Sequence, residues 1–177
     1  MTGLLPDLPP GRVLPVVRAP SRALSQPSRD VDPRAEDIVH LAADLLATQR
    51  AAPGCVGLAA AQVGRAARVF SLDVTGHPKT RVCHGAVVVV NPVVVESSRP
   101  QRAREGCLSV PDLTGDVRRA SRLVVTGSIP GSGESVTLST DAFEARAVQH
   151  EIDHLDGLLF LDRVAGAHAL YARRVYL

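Results

Sequence analysis

Two histidines and a glutamate open the functional reading. The segment Gln149-His150-Glu151-Ile152-Asp153-His154-Leu155-Asp156-Gly157 contains the pattern H-E-x-x-H. On a helix, residues four apart face the same way, so His150 and His154 present two imidazoles to one point. Two imidazoles so placed can bind one divalent metal ion, and Glu151, one step round, can reach a water on it. The pattern alone arises by chance, because His and Glu are tolerable on any solvated helix face. A catalytic site also needs a third protein ligand. The usual zinc proteases take it from downstream, as His or Glu. Here only 20 residues follow Gly157, and they offer His168 and Asp162 but no Glu. The third ligand is therefore expected upstream. Cys107, in Glu105-Gly106-Cys107-Leu108-Ser109, is the best candidate, because a thiolate is a strong metal donor. The plainer reading of a Cys between Gly and Leu is a small buried hydrophobe.

The motif needs a helix to work. Asp141 stands where an N-cap would stand, with Glu144 three residues later as in a capping box. No Gly or Pro interrupts Ala142 to Leu155, and Gly157 is a plausible stop. The sequence predicts a helix from about Ala142 to Asp156. Phe143 and Ala147 share the stripe of His150 and His154, so they are expected to floor a pocket beside the metal. Val56 and Gly57 are expected to approach from the opposite wall.

Composition bounds the rest. A chain of 177 residues fits one domain with a sizeable core. The net charge of +2 is too small to argue for nucleic acid or a membrane surface, and aromatics at 3% are too few for a base-stacking platform. Cys55, Cys83 and Cys107 are an odd number, which argues against a closed disulfide framework and for a reducing compartment. No run approaches the roughly 18 apolar residues of a membrane span.

Seven of the thirteen prolines fall in the first 33 residues, which predicts an extended arm over residues 1–32 and one domain over 33–177. The arm lacks the charged and apolar regions of a secretory signal. It is poor in acids before Asp30, a faint likeness to a transit peptide, but no amphipathic helix is evident. Asp32-Pro33 reads as an N-cap and first helical residue, and Ile38, Leu41, Ala42, Leu45 and Leu46 recur at helical spacing to about Arg50. His40, just off the apolar stripe, reads as a surface or boundary histidine and not as a ligand. Gly54 to Gly64 reads, taken alone, as a tight packing segment in which Gln62 is incidental. Strands are predicted at Arg68–Val74, Ala86–Val90, Val93–Val95 and Val117–Thr126, with Ser135–Leu138 returning as a hairpin after Pro130-Gly131-Ser132-Gly133. Cys83 and His84 read as a solvated loop. Leu158–Leu161 reads as a short apolar exit, and Val164–Leu177 as a brief helix or docked tail.

Three stretches together resemble one family. Gly57-Leu58-Ala59-Ala60-Ala61-Gln62, Glu105-Gly106-Cys107-Leu108-Ser109 and Gln149-His150-Glu151-Ile152-Asp153-His154 look like the three signature motifs of peptide deformylase, in the family's order and approximate spacing. The resemblance covers roughly Val13 to Leu161. It implies an α+β fold, with antiparallel β-sheets packed around a central helix that carries the metal motif. It implies removal of the formyl group from N-terminal formyl-methionine of newly made polypeptides.

By resemblance, Cys107, His150 and His154 hold the metal and Glu151 moves the proton. Gln62 and the Leu108 backbone N–H stabilise the oxyanion, and Glu105 pairs with Arg119 to brace the cleft. The bland alternative for that pair is an exposed ion pair worth under about 1 kcal/mol. One thiolate and two imidazoles suit zinc, iron, nickel or cobalt alike. The resemblance implies one Fe²⁺ per chain in the cell, with Zn²⁺ a common replacement. The implied partners are N-formylated nascent peptides, with a transient ribosome contact in the cytoplasm, and neither a nucleic-acid site nor a membrane. One departure stands out: Cys55 occupies the place of the usual first Gly of the first motif. A zinc endopeptidase and a catalytically inactive deformylase-like binding protein are the alternatives. Cys107 as third ligand weighs against the first, and the intact Cys107, His150, Glu151, His154 and Gln62 against the second.

Overall fold

The apolar run Val87-Val88-Val89-Val90 is buried on both its faces, and this sets the layers. A computed structural model of the chain describes residues 4–174. In it, helix α1 (Glu36–Ala51) is followed by strands β1 (Gly57–Ala59), β2 (Val69–Leu72), β3 (Val87–Cys107), β4 (Val110–Ser128) and β5 (Ser135–Asp141). Helix α2 (Ala142–Leu155), a short strand β6 (Leu170–Ala172) and four 3-10 helices of three or four residues complete the described elements. The strands form one sheet in the order β1-β2-β3-β4-β5, with β6 also on β4, and every pairing is antiparallel. The fold is the α+β arrangement expected from the sequence.

Strand alternation sends successive side chains to opposite faces. Phe70, Leu72, Val87 and Val89 pack with Ala145, Val148, Ile152 and Leu155 of α2. Their neighbours Val69, Val88 and Val90 pack with Ile38, Leu41, Leu45 and Leu46 of α1. The two helices therefore lie on opposite faces of the sheet. Further along, β5 buries only alternate residues, Val136, Leu138 and Thr140, so the sheet there is covered on the α2 side alone.

The sequence predicts two short strands around Asn91-Pro92, but β3 runs unbroken to Cys107. Asn91 takes a positive φ of 51°, and the register with β4 shifts between Val90 and Val93. The Asn91 side chain holds the place: Oδ1 accepts from Val31 N–H at 3.0 Å, and Nδ2 donates to the Val31 carbonyl at 2.8 Å. A bulge of this kind absorbs the proline without ending the strand. The consequence is functional. β3 and β4 form a long hairpin, and Cys107 pairs with Val110 across its two-residue tip.

Helix α2 begins and ends where the sequence predicts, within a residue, but by different means at the two ends. The expected capping box is not made: Asp141 is the N-cap residue without a side-chain cap bond. Glu144 is instead buried and accepts from the His84 backbone N–H at 2.9 Å, with His84 Nδ1 also at 2.9 Å. His84 is thus half-buried against α2 and not part of a free loop. The C-terminus is a Schellman motif, with Leu158 N–H donating to the Asp153 carbonyl at 2.8 Å and Gly157 N–H to the His154 carbonyl at 3.2 Å. Asp32 likewise caps a turn before α1 (Arg34 N–H to Oδ1, 2.9 Å), and Ala35 is that helix's N-cap.

The proline-rich segment lies along the sheet and α1. Leu14 N–H donates to Thr48 Oγ1 at 2.9 Å, and Arg12 N–H donates to Asp44 Oδ1 at 2.7 Å. Val17 N–H reaches the Gln62 carbonyl at 2.8 Å and Ala19 N–H the Ser109 carbonyl at 2.9 Å, so the segment ties two of the signature stretches together. After α2, the chain forms β6 on the edge of β4. The tail is docked, one of the two readings the sequence left open, as a strand preceded by a short 3-10 turn at Ala167–Ala169, and residues 175–177 lie outside the described residues.

Gly157 has φ +76°, and a Cβ there would sit 2.8 Å from backbone of Gln26. Gly157→Ala is expected to lower stability by more than about 1 kcal/mol, read as an earlier urea midpoint at unchanged slope. An unchanged midpoint would mean that the end of α2 does not depend on this glycine.

Candidate metal centre

Two elements bring three donors together. The i,i+4 spacing puts His150 and His154 on one face of α2, their rings edge to face with centroids 5.0 Å apart. The hairpin tip brings Cys107 to the same place, with Sγ 3.2 Å from His154 Nε2. One donor atom from each of Cys107, His150 and His154 lies within 4.8 Å of the others. Cys107 and His154 are buried and His150 is nearly so. A thiol and two imidazoles so gathered are a donor set for a borderline-soft divalent ion.

A buried carboxylate holds this arrangement. Glu105, two residues before Cys107, receives both forks of Arg119, at 2.6 and 2.9 Å. Arg146 Nη1 adds a bond at 2.6 Å to Glu105 Oε1, and His150 Nδ1 lies 3.0 Å from Oε2. Burial alone would raise the Glu105 carboxyl, but the bonds from His150 and Arg119 outweigh it and bring it down to about 2. Burial would also lower His150, yet its bonds with Cys107 and Glu105 push it up to about 10. The field that favours a proton on His150 favours a divalent cation as well. Glu105 fixes His150 through Nδ1, so Nε2 is the ring nitrogen that could take an ion. His154 has no such partner: its Nδ1 is buried without a hydrogen bond, and burial, with His150 beside it, lowers its pKa well below the ordinary value.

The other predicted residues surround a cavity of about 250 Å³. Glu151 lines it, and its Oε2 is buried without a partner. Burial pushes the Glu151 carboxyl up to about 7, against the opposing pull of His150 and Arg119. Gln62 is buried and its orientation is fixed. Oε1 accepts from Ala59 N–H at 3.0 Å, and Nε2 donates to Ser109 Oγ at 3.2 Å and to Cys107 Sγ at 3.5 Å. Leu108, Val56, Gly57, Phe143 and Ala147 also line the cavity.

The chain that carries this donor set matches known proteins in sequence and fold. The family model described as polypeptide deformylase matches residues 13–169. The chain belongs to the peptide deformylase family. It is 40% identical over 150 residues to peptide deformylase 2 of Gloeobacter violaceus, covering 84% of this chain and 78% of that one. It is 39% identical over 163 residues to the peptide deformylase of Desulforudis audaxviator, covering 92% and 98%. The Acinetobacter baumannii class I type b deformylase, solved with Met-Ala-Ser bound, superposes with a TM-score of 0.78 at 37% identity, covering 85% of this chain and 99% of that one. The family's reaction is metal-dependent hydrolysis of the N-terminal formyl group of new polypeptides.

The deformylase motifs thus meet at one point, although 45 residues separate Gln62 from Cys107 and 47 separate Cys107 from His154. Glu105 and Arg119 form a buried, doubly bonded pair, not the exposed one weighed as the alternative. Sequence reasoning missed three supports. Arg146 bonds Glu105, Asp153 bonds Arg119 Nη1 at 2.7 Å, and Ser109 accepts from Gln62. A signal existed for the first: Arg146 stands four residues before His150, an arginine on the helix's inward face. Cys55, the departure from the first motif, lines the cavity with Sγ 3.1 Å from the Gly57 carbonyl. Burial first, then the nearby Glu151 charge, pushes its thiol up to about 12, so it is a neutral wall residue.

Gly57 is where the cleft presses hardest on Glu151: an added Cβ would lie 2.5 Å from Oε1. Gly57→Ala is expected to displace the carboxylate and reduce kcat by at least about tenfold, since misplacement by an ångström can cost 10². Metal content should not change. A variant with wild-type kcat would show that Glu151 is free to move.

Proposed function

We propose that this chain deformylates N-formyl-methionyl peptides at one divalent transition ion held by Cys107, His150 and His154. Glu151 is the general base and acid. The observation that carries this reading is the buried, unpartnered Glu151 oxygen in the cavity where the three donors converge. An ion bound there supplies Lewis acidity toward a carbonyl oxygen and lowers the pKa of water. Fe²⁺ is the proposed ion in the cell. Zn²⁺, Ni²⁺ and Co²⁺ suit the same donors.

The chain's own residues do the rest. Glu151 takes a proton from the attacking water at Oε2 and delivers it to the leaving amine nitrogen. Its raised pKa, about 7, suits a group that must do both near neutrality. Gln62 aims its amide nitrogen at the thiol side of the cavity, and turning its longer N–H contact away from Cys107 Sγ would offer that donor to the tetrahedral oxyanion, with the Leu108 backbone N–H as the second donor. One such donor is typically worth about 3 kcal/mol. Phe143, Ala147, Val56 and Gly57 form the apolar walls that accept the methionine thioether, a flexible and polarisable side chain. The bound Met-Ala-Ser of the Acinetobacter baumannii relative has the sequence of a deformylated product and supports this choice of substrate. Among the described residues no helix is long and apolar enough to cross a membrane. A cytoplasmic enzyme meeting nascent chains in transient contact with the ribosome is the setting proposed.

The test combines hydrolysis of formyl-Met-Ala-Ser with metal analysis. Wild-type protein should release formate and carry about one metal per chain. Glu151→Gln should keep the metal and lose a factor of about 10² to 10⁴ in kcat. Cys107→Ala should lose metal. Full metal content in Cys107→Ala would sink the ligand assignment, and a Glu151→Gln variant within threefold of wild type would name another base.

A further inference from the structure

The exposed charges at the cleft mouth are of one sign. Among the residues lining the cavity the only carboxylates are Glu105 and Glu151, and both are buried. The exposed ionisable groups on its rim are Lys79, Arg104 and Arg173. Arg104 is already answered, by Asp116 at 2.6 Å and by the Tyr171 ring 3.4 Å beneath its guanidinium. Lys79 stands 6.0 Å from the centroid of Phe143.

Arg173 is placed differently. β6 carries it to the cleft, and its N–H donates to the Asp112 carbonyl at 2.9 Å, which fixes the backbone there. Its Nη1 donates to the Cys107 carbonyl at 3.2 Å. A Cβ on Gly106 would stand 2.9 Å from Nη2, so the guanidinium rests against bare backbone of the strand that ends at the metal ligand. Arginine has five N–H donors in a fixed fork. Among the described residues, the Cys107 carbonyl is the side chain's one hydrogen-bond partner.

Resting on the deformylase reading, we propose that Arg173 is a specificity-determining residue that binds a carboxylate of the peptide beyond its formyl-methionine. That carboxylate is either an acidic side chain or the free C-terminus of a short peptide. A guanidinium held at a cavity edge by its backbone and one carbonyl has lost part of its side-chain freedom in advance. A carboxylate meeting it can accept two parallel, charge-assisted bonds.

The probes are three product peptides titrated calorimetrically into metal-loaded protein: Met-Ala-Ser amide, Met-Ala-Asp amide and Met-Ala-Ser with a free C-terminus. At low salt, at least one carboxylate-bearing peptide should bind about threefold to tenfold more tightly than the neutral amide, and the gain should shrink as salt rises. Which peptide gains identifies the carboxylate. The gain should vanish in Arg173→Gln, return in part in Arg173→Lys, and persist in Arg174→Gln, whose arginine is exposed and outside the cavity lining. No gain in wild type, or a gain that survives Arg173→Gln, overturns the proposal. Formylated versions of the same peptides, assayed in parallel, should show the preference in KM more than in kcat. Peptides that bind with the Arg173-dependent gain but are never deformylated would instead overturn the deformylase reading.

Discussion

Everything at the centre depends on one buried carboxylate. Glu105 sits between Arg119, Arg146 and His150, drawn from the hairpin strand opposite and from α2. Charges taken out of water are costly unless each finds a partner, and removing one partner from such a group strands the others. Here the accounting closes. Arg119 has Glu105 and Asp153, and Asp153 also takes Arg163 at 2.6 Å. Arg146 also donates to the carbonyls of Val117 and Gln101. The network locks the hairpin to the helix, and in doing so it sets the distance between the thiol on one and the imidazoles on the other.

The fold supplies two rigid carriers for this lock. α2 lies against a sheet face of alternating apolar residues, so its rotation is fixed and His150 and His154 point to the hairpin. The hairpin reaches the helix only because β3 continues through the Asn91-Pro92 bulge to Cys107. Gln62 enters from a third segment, held by Ala59 on one side and Ser109 on the other. The extended segment at Val17 and Ala19 bonds the carbonyls of Gln62 and Ser109, and so braces two of the three walls from outside.

Much of this was legible in the sequence, for physical reasons. The α2 helix was readable from its uninterrupted pattern and its glycine stop, and the grouping of Cys107, His150 and His154 from donor chemistry and spacing. The apolar strands were readable from β-branched density. The less visible parts are polar and exposed. Residues Glu96 to Arg104 carry little apolar alternation, so nothing marked them as strand, and Pro92 argued for a break that a bulge absorbs. Glu144 looked like half of a capping box because the local rule knows nothing of His84, 60 residues away. Ser109, Asp153 and Arg173 have no local signature. Their roles come from tertiary placement, with Arg173 arriving on a strand too short to announce itself.

The central claim is that Glu105 positions the metal site through His150 and does not merely fill space. The direct measurement is the metal dissociation constant of Glu105→Gln against wild type, by competition with a chelator, with far-UV circular dichroism as the control for folding. Orienting partners of metal-bound histidines typically contribute a factor of about 10 to 100 in affinity. The account predicts a loss of that size in a variant that keeps its secondary structure. A folded Glu105→Gln that binds metal within twofold of wild type would contradict it.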